Sequence, residues 1–243
     1  MSQRFTLQLA TDSLSMAARR LDISVEQLQL IQVIVDISLI KPSRLALTYQ
    51  IRLPKRHLAS LFDWPQWQQD QVKFIDYLWE QTCLECFIAI ANPSSDVNQT
   101  TDYIEINVSP SGRYALYQFV NYRQPDCMPP TPLCKAYSNE RASIEWADNL
   151  PMRVFNITPL DLAQHSKVEA NSLSMLIFTA IYDYKRSFTI DLDQLPSSFL
   201  ANSIQQLHPC AILYFDNIPL YFAAKHASPP DFHQQRYWTN FRP

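Results

Sequence analysis

The chain has 243 residues, 47% hydrophobic and 18% charged, with a net charge of -3, enough to bury one large core. A single glycine, against roughly 17 in an average chain of this length, excludes a P-loop and a Gly-rich dinucleotide turn, both of which need several glycines for close backbone approach to phosphate. The mildly acidic balance offers no concentrated basic surface to nucleic acid, no run approaches the roughly 18 apolar residues of a membrane span, and the N-terminal segment lacks the apolar region of a secretory signal. The expected location is the cytoplasm and the expected partner a small molecule, with no nucleic acid and no membrane; the oligomeric state is left open.

Strand-like runs dominate in chain order. Arg4–Leu9 alternates as a short strand. Ser24 with Gln27 three residues on is a capping-box pattern and predicts a short helix over Val25–Leu30. Val33–Leu39 and Leu45–Leu53 are β-rich and separated by the turn Lys41-Pro42-Ser43. Leu58–Phe74 is polar and Trp-rich and reads as a loop with a helical turn. Leu78–Ala91 and Tyr103–Val108 read as strands joined by the polar loop Asn92–Thr101, followed by a strand over Arg113–Tyr122. Pro125, Pro129, Pro130 and Pro132 make Gln124–Leu133 an irregular surface loop. Ala142–Trp146, Met152–Ile157, Ser172–Tyr182 and Ser187–Leu192 are further strands, and Pro159–His165 and Ser197–Leu207 look helical. Ala211–Phe215, a turn at Asp216-Asn217 and Leu220–Lys225 close the pattern. About ten short strands without βα alternation predict an all-β fold, an antiparallel β-sandwich with a few short helices, as one domain over residues 1–243.

Gly112 sits between two strand-like runs, where the chain needs a positive φ that glycine adopts cheaply. In Tyr103–Val108, Ile104, Ile106 and Val108 point to one face, and Tyr103, Glu105 and Asn107 to the other. In the preceding strand Leu84, Cys86, Ile88 and Ile90 share one face, and Cys83, Glu85 and Phe87 the other. Pairing Val108 with Arg113 across the turn would put Tyr114, Leu116 and Gln118 beside Glu105 and Asn107, unless a bulge shifts the register. Two readings of this face stand: the solvated side of a sheet, or a polar and aromatic surface suited to sugar hydroxyls and ring faces.

The strand period sends Cys83 and Cys86 to opposite sides, so this CxxC cannot ligate one ion without breaking the strand, and no second CxxC exists. His226, Asp231 and His233, with Glu105, have the chemistry to hold a divalent metal; the alternative is that they hydrogen-bond the tail onto the sheet. A haem would take His226 or His233 on one side and Met128 or Met152 on the other. An acid–base enzyme would use Glu85 and Glu105 with His226 and His233, whereas serine catalysis lacks its G-x-S-x-G elbow. Trp64 and Trp67 read as exposed stacking residues or as caps on an open end of the sheet, and Trp79 as core.

The segments LWEQTCLECFIAI (Leu78–Ile90), YIEINVSPSGRYALYQFVNYR (Tyr103–Arg123) and the late YFAAKH and PPDFH, taken in this order, resemble the bacterial DOMON-like domain proteins, which are grouped with family 9 carbohydrate-binding modules. The resemblance is close over about 60 residues and looser over most of the chain. It departs where Gln124-Pro125-Asp126-Cys127 stand before Met128 in place of a glycine. What it implies is a β-sandwich with a ligand-binding face and no active site; related domains are associated with sugar or haem. The candidate ligand face is then Glu85, Glu105, Asn107, Tyr114 and Arg123, edged by Lys225 and His226. Arg123 would fork to a carboxylate on an acidic sugar.

Overall fold

The computed structural model describes residues 2–41, 43–90, 102–148, 153–156, 180–196 and 204–241. These form twelve antiparallel strands: β1 (Ser2–Leu9), β2 (Gln32–Lys41), β3 (Arg44–Leu53), β4 (Cys83–Ile90), β5 (Tyr103–Val108), β6 (Tyr114–Phe119), β7 (Glu145–Asp148), β8 (Arg153–Asn156), β9 (Ala180–Asp191), β10 (Ile204–Phe215), β11 (Ile218–Ala223) and β12 (Thr239–Asn240). Three short helices join them: α1 (Leu14–Arg20), α2 (Val25–Gln29) and α3 (Arg56–Leu61). None of the helices among the described residues is long and apolar enough to cross a membrane.

The strands lie in the order β6-β5-β4-β10-β11-β1-β2-β3-β9-β7, with β12 beside β10 and β8 beside β9. The all-β expectation holds, but as one continuous curled sheet rather than two separate ones. β1 carries the continuity: Ser2–Leu7 pair with β2, and Gln8 and Leu9 pair with β11. Curling brings β3 against β4 although four strands lie between them in sheet order. The Tyr49 hydroxyl, buried on β3, donates to the backbone carbonyl of Glu85 on β4.

The first core fills the space enclosed by this curl. β3 alternates cleanly, with Leu45, Leu47, Tyr49, Ile51 and Leu53 buried and the intervening residues half-exposed, the period-two pattern of a sheet with one covered face. Across from them Leu84, Cys86, Ile88, Ile104, Ile106 and Leu213 join the same cluster. Each such side chain contributes roughly 1.5–3 kcal/mol on burial. Leu14, Ala17 and Ala18 of α1 and Leu28 of α2 close this core. The Ser24–Gln27 capping box forms in both directions at 3.2 Å and fixes the start of α2.

Several boundaries depart from expectation. α1 has no counterpart in the sequence reading; its apolar stripe is one short turn and a half, too brief to read as a period. Residues 204–207, expected helical, open β10, where pairing to β4 and β12 outweighs local preference. The two strands expected on either side of Asp183–Arg186 are one strand, β9, because β3 pairs with it without a break from Tyr182 to Asp191. β4 begins only at Cys83, after a 3-10 turn over Leu78–Glu80 that follows Tyr77 at φ 61°. Asp216 and Asn217 both have positive φ, 45° and 63°, the signature of a tight hairpin turn. The segments expected as a loop over Asn92–Thr101 and a helix over Pro159–His165, and most of the strand expected over Ser172–Tyr182, lie outside the described residues.

Candidate functional site

β4 and β5 differ from β3 in being buried on both faces. The register explains which side chains share the second face. Glu85 pairs with Asn107 on β5 and Cys210 on β10; Phe87 pairs with Glu105 and with His208; Glu105 pairs with Tyr117 on β6. The face read as solvated is therefore corrected: it carries a second core of Phe87, Tyr103, Tyr117, Phe119, Phe232 and Trp238. Aromatic residues at the same parity as the glutamates demand cover, and the chain's last described segment supplies it. Tyr103 stacks on Phe119 at 4.8 Å between ring centres, and the Trp238 indole donates to the Phe232 carbonyl at 2.8 Å.

The cover is incomplete above the glutamates. A cavity of about 330 Å³ opens there, with Glu85, Glu105, Phe87 and Ile212 from the sheet at its floor and the segments 123–130 and 230–233 over it. Its size falls in the range of small-molecule sites. Glu85 and Glu105 are 3% and 5% exposed, and one oxygen of Glu85, Oε1, has no hydrogen-bond partner among the described residues. Burial, then the nearby Glu105 carboxylate, hold the Glu85 carboxyl well above its ordinary range, with the Cys83 thiol opposing. Burial raises Glu105 to about 7, against the Asn107 amide and the Arg123 guanidinium, which favour its charged form. The Asn107 amide donates to Glu105 Oε1 at 2.7 Å.

A relay fixes the histidine above them. The Arg123 backbone N–H donates to the Tyr103 hydroxyl at 3.1 Å, and that hydroxyl is in turn hydrogen-bonded to His233 Nδ1 at 2.8 Å. The Nε2 of His233 faces Glu105 Oε2 at 3.6 Å. Burial, then Arg123, lower His233 to about 3, with Asp231 opposing. The imidazole is neutral at ordinary pH, and the 3.6 Å approach is not an ion pair. Asp231 anchors the roof, accepting from Tyr122 Oη at 2.6 Å and Arg123 at 3.0 Å and from the His233 backbone N–H and the Gln234 amide at 3.1 Å each.

Of the residues singled out in the sequence, Glu85, Glu105 and Arg123 line this cavity, and Asn107 stands behind Glu105. Tyr114 does not join them. The turn pairs Val108 with Tyr114, one residue later than expected, which sends Tyr114 to the first core and brings Ala115, Tyr117 and Phe119 to the glutamates. Lys225 is exposed and outside the lining. His226 is also outside it, its Nε2 engaged with the Gln8 carbonyl at 2.7 Å. Arg123 gives one N–H of the fork expected for an acidic sugar to Asp231 at 3.0 Å. Trp79, expected as core, is half-buried and lines the cavity. Trp64 is buried between Phe62 and Tyr184 at the first core, with the buried Arg186 guanidinium over its ring.

Sequence reasoning missed Phe119, Ile212 and Tyr221 in the lining. Phe119 was within reach: it has the parity of Tyr117 once the turn is counted to Tyr114. Cys86 lies in the first core and Cys83 in the second, on opposite sides of β4. Among the described residues no three histidine, cysteine, aspartate or glutamate side chains converge as a metal site. Met128 is 69% exposed at the cavity rim, and Met152 lies outside the described residues. No protein-family model matches the sequence, and no curated protein matches it either.

Proposed function

We propose that the chain is a non-catalytic, DOMON-like binding protein that holds a small hydroxylated ligand, a sugar, in the cavity over β4 and β5. The observation that carries this reading is the pair of buried carboxyls, Glu85 and Glu105, in the lining of an aromatic-walled cavity. Glu85 Oε1 has no hydrogen-bond partner among the described residues, a deficit of about 1–3 kcal/mol that a ligand hydroxyl reaching this carboxyl would offset. Phe87, Phe119, Trp79 and Phe232 line the same space and supply flat apolar surface for C–H faces of a ring. The five free thiols fit a reducing compartment, the cytoplasm. Saturation-transfer NMR with D-glucose, D-galactose and D-glucuronate tests the reading, with Glu105→Ala as the control. Transfer to a monosaccharide that disappears in the folded variant supports it; silence across all three sugars counts against it.

A second reading has one observation in its favour. Raised carboxyls beside a neutral imidazole are an arrangement that acid–base enzymes use. Release of nitrophenol from nitrophenyl glycosides, lost on Glu105→Gln, would replace the binding reading with a hydrolytic one.

A further inference from the structure

We infer that the group recognised at the floor of this cavity is an ammonium, so that the ligand is an amino sugar or another small amine rather than a neutral polyol. This rests on the cavity being the binding site proposed above, and narrows what it takes.

Three features of the lining converge on a cation. The floor presents acceptors with few donors. The carboxyls of Glu85 and Glu105 both stand in the lining, and Glu85 Oε1 has no hydrogen-bond partner among the described residues. A hydroxyl satisfies one acceptor per proton, while an ammonium brings three donors and a charge to the same place.

The charge balance of the lining is also one-sided. Among the described residues four carboxyls line the cavity, Glu85, Glu105, Asp126 and Asp231, against one cationic side chain, Arg123, which gives an N–H to Asp231 at 3.0 Å. His233 is a neutral ring here, held so by burial and by the nearby Arg123, with its Nδ1 hydrogen-bonded to the Tyr103 hydroxyl. An anion would meet four carboxyls and one guanidinium already bonded to Asp231, whereas an incoming ammonium favours the ionised form of a buried carboxyl and pairs with it.

The walls are aromatic. Trp79, Phe87, Phe119, Tyr221 and Phe232 line the cavity, and ring faces attract ammonium groups, more so when desolvated. A divalent metal would instead need three or more oxygen or nitrogen ligands converging on one point, which the described residues do not provide.

Isothermal titration of the full chain at neutral pH with D-glucosamine, N-acetyl-D-glucosamine, D-glucose and ethanolamine separates the outcomes. Glucosamine should bind at least about tenfold more tightly than glucose or the N-acetyl sugar, and Glu85→Gln should collapse that ratio toward one. Should that variant fail to fold, Glu105→Gln serves in its place. Equal binding of glucose and glucosamine overturns the ammonium and leaves the sugar reading standing. Binding of ethanolamine alone supports the ammonium and sinks the sugar. Failure of all four probes overturns both.

Discussion

His233 Nε2 and Glu105 Oε2 face each other at 3.6 Å, a base and an acid that the fold drives toward neutrality from opposite sides. Burial is the largest cause for both. Charging either one in place requires water or an opposite charge that the second core withholds. The site is therefore a pair of polar groups driven toward neutrality beneath a roof.

Stability should follow pH in a particular shape. His233 and His208 are held down from 6.5 to about 3, so the folded state binds fewer protons there and stability rises with pH across that interval. Glu105, raised from 4.5 to about 7, acts in the opposite sense: its contribution is full below 4.5 and is lost as pH climbs through 7. Glu85 is shifted in the same direction and extends the loss upward. The groups facing this pair are Cys83, Arg123, Tyr103, Asp231 and His233. Denaturation midpoints should climb up to pH 4.5, level off to 6.5 and decline above it. Glu105→Gln should remove on the order of 3 kcal/mol of the carboxyl-driven loss. A midpoint still rising well into the alkaline range would show that both carboxyls ionise freely in the folded protein.

Asp231→Asn tests the roof. The carboxylate accepts four hydrogen bonds, from Tyr122, Arg123, His233 and Gln234, and these bonds help hold it down to about 2 although burial opposes. The amide keeps one acceptor and loses the charge. The variant should be about 1–3 kcal/mol less stable, with faster hydrogen exchange over residues 231–238 than in β2 and β3. Unchanged exchange there would mean that Phe232 and Trp238 hold the roof by packing alone.

How far this site could be read in advance depends on one residue of register. The alternation in Glu85–Phe87 and Tyr103–Asn107 was legible because it follows from a period of two. Gln118 and Tyr114 lie on the face opposite to the expected one because Val108 pairs with Tyr114 rather than with Arg113, and a slip of one moves every side chain across. The burial of the glutamates was not legible from their own strands. It is imposed from more than 100 residues later by Phe232, His233 and Trp238, contacts that leave no local pattern. His226, adjacent in sequence to this tail, was grouped with it on spacing, but the chain turns it to Gln8 instead. The capping box of α2 was fully legible, because it depends on Ser24 and Gln27 alone.

Gly112→Ala should cost about 1–3 kcal/mol. Gly112 has φ +117°, and an added Cβ would meet the Gln68 carbonyl oxygen and Val72 Cγ2 at 3.2 Å each. The first is backbone and cannot swing away. The same turn is held by Gly112 N–H on the Ser109 carbonyl at 3.1 Å and by Gln68 N–H on the Ser111 carbonyl at 2.9 Å. Urea denaturation would check it, and a midpoint equal to the parent's would show that the loop over Gln68–Val72 yields without cost.

Tyr49→Phe probes how the curled sheet is held shut. Tyr49 is fully buried, its ring stacked near Phe188 at 6.2 Å, and its hydroxyl reaches across the first core to the Glu85 carbonyl. Phenylalanine keeps the ring and its burial, so the apolar contribution is unchanged. What is lost is one donor, leaving a buried carbonyl short of a partner, at a cost of about 1–3 kcal/mol. The bond lands on the backbone of the residue whose side chain forms the cavity floor on the opposite side of β4. Its loss should therefore also loosen the position of Glu85 and weaken glucosamine binding, with no side chain of the cavity altered. A lower urea midpoint with an unchanged denaturant slope would give the first effect cleanly. A variant as stable as the parent would mean that β3 and β4 are held together by apolar contact alone.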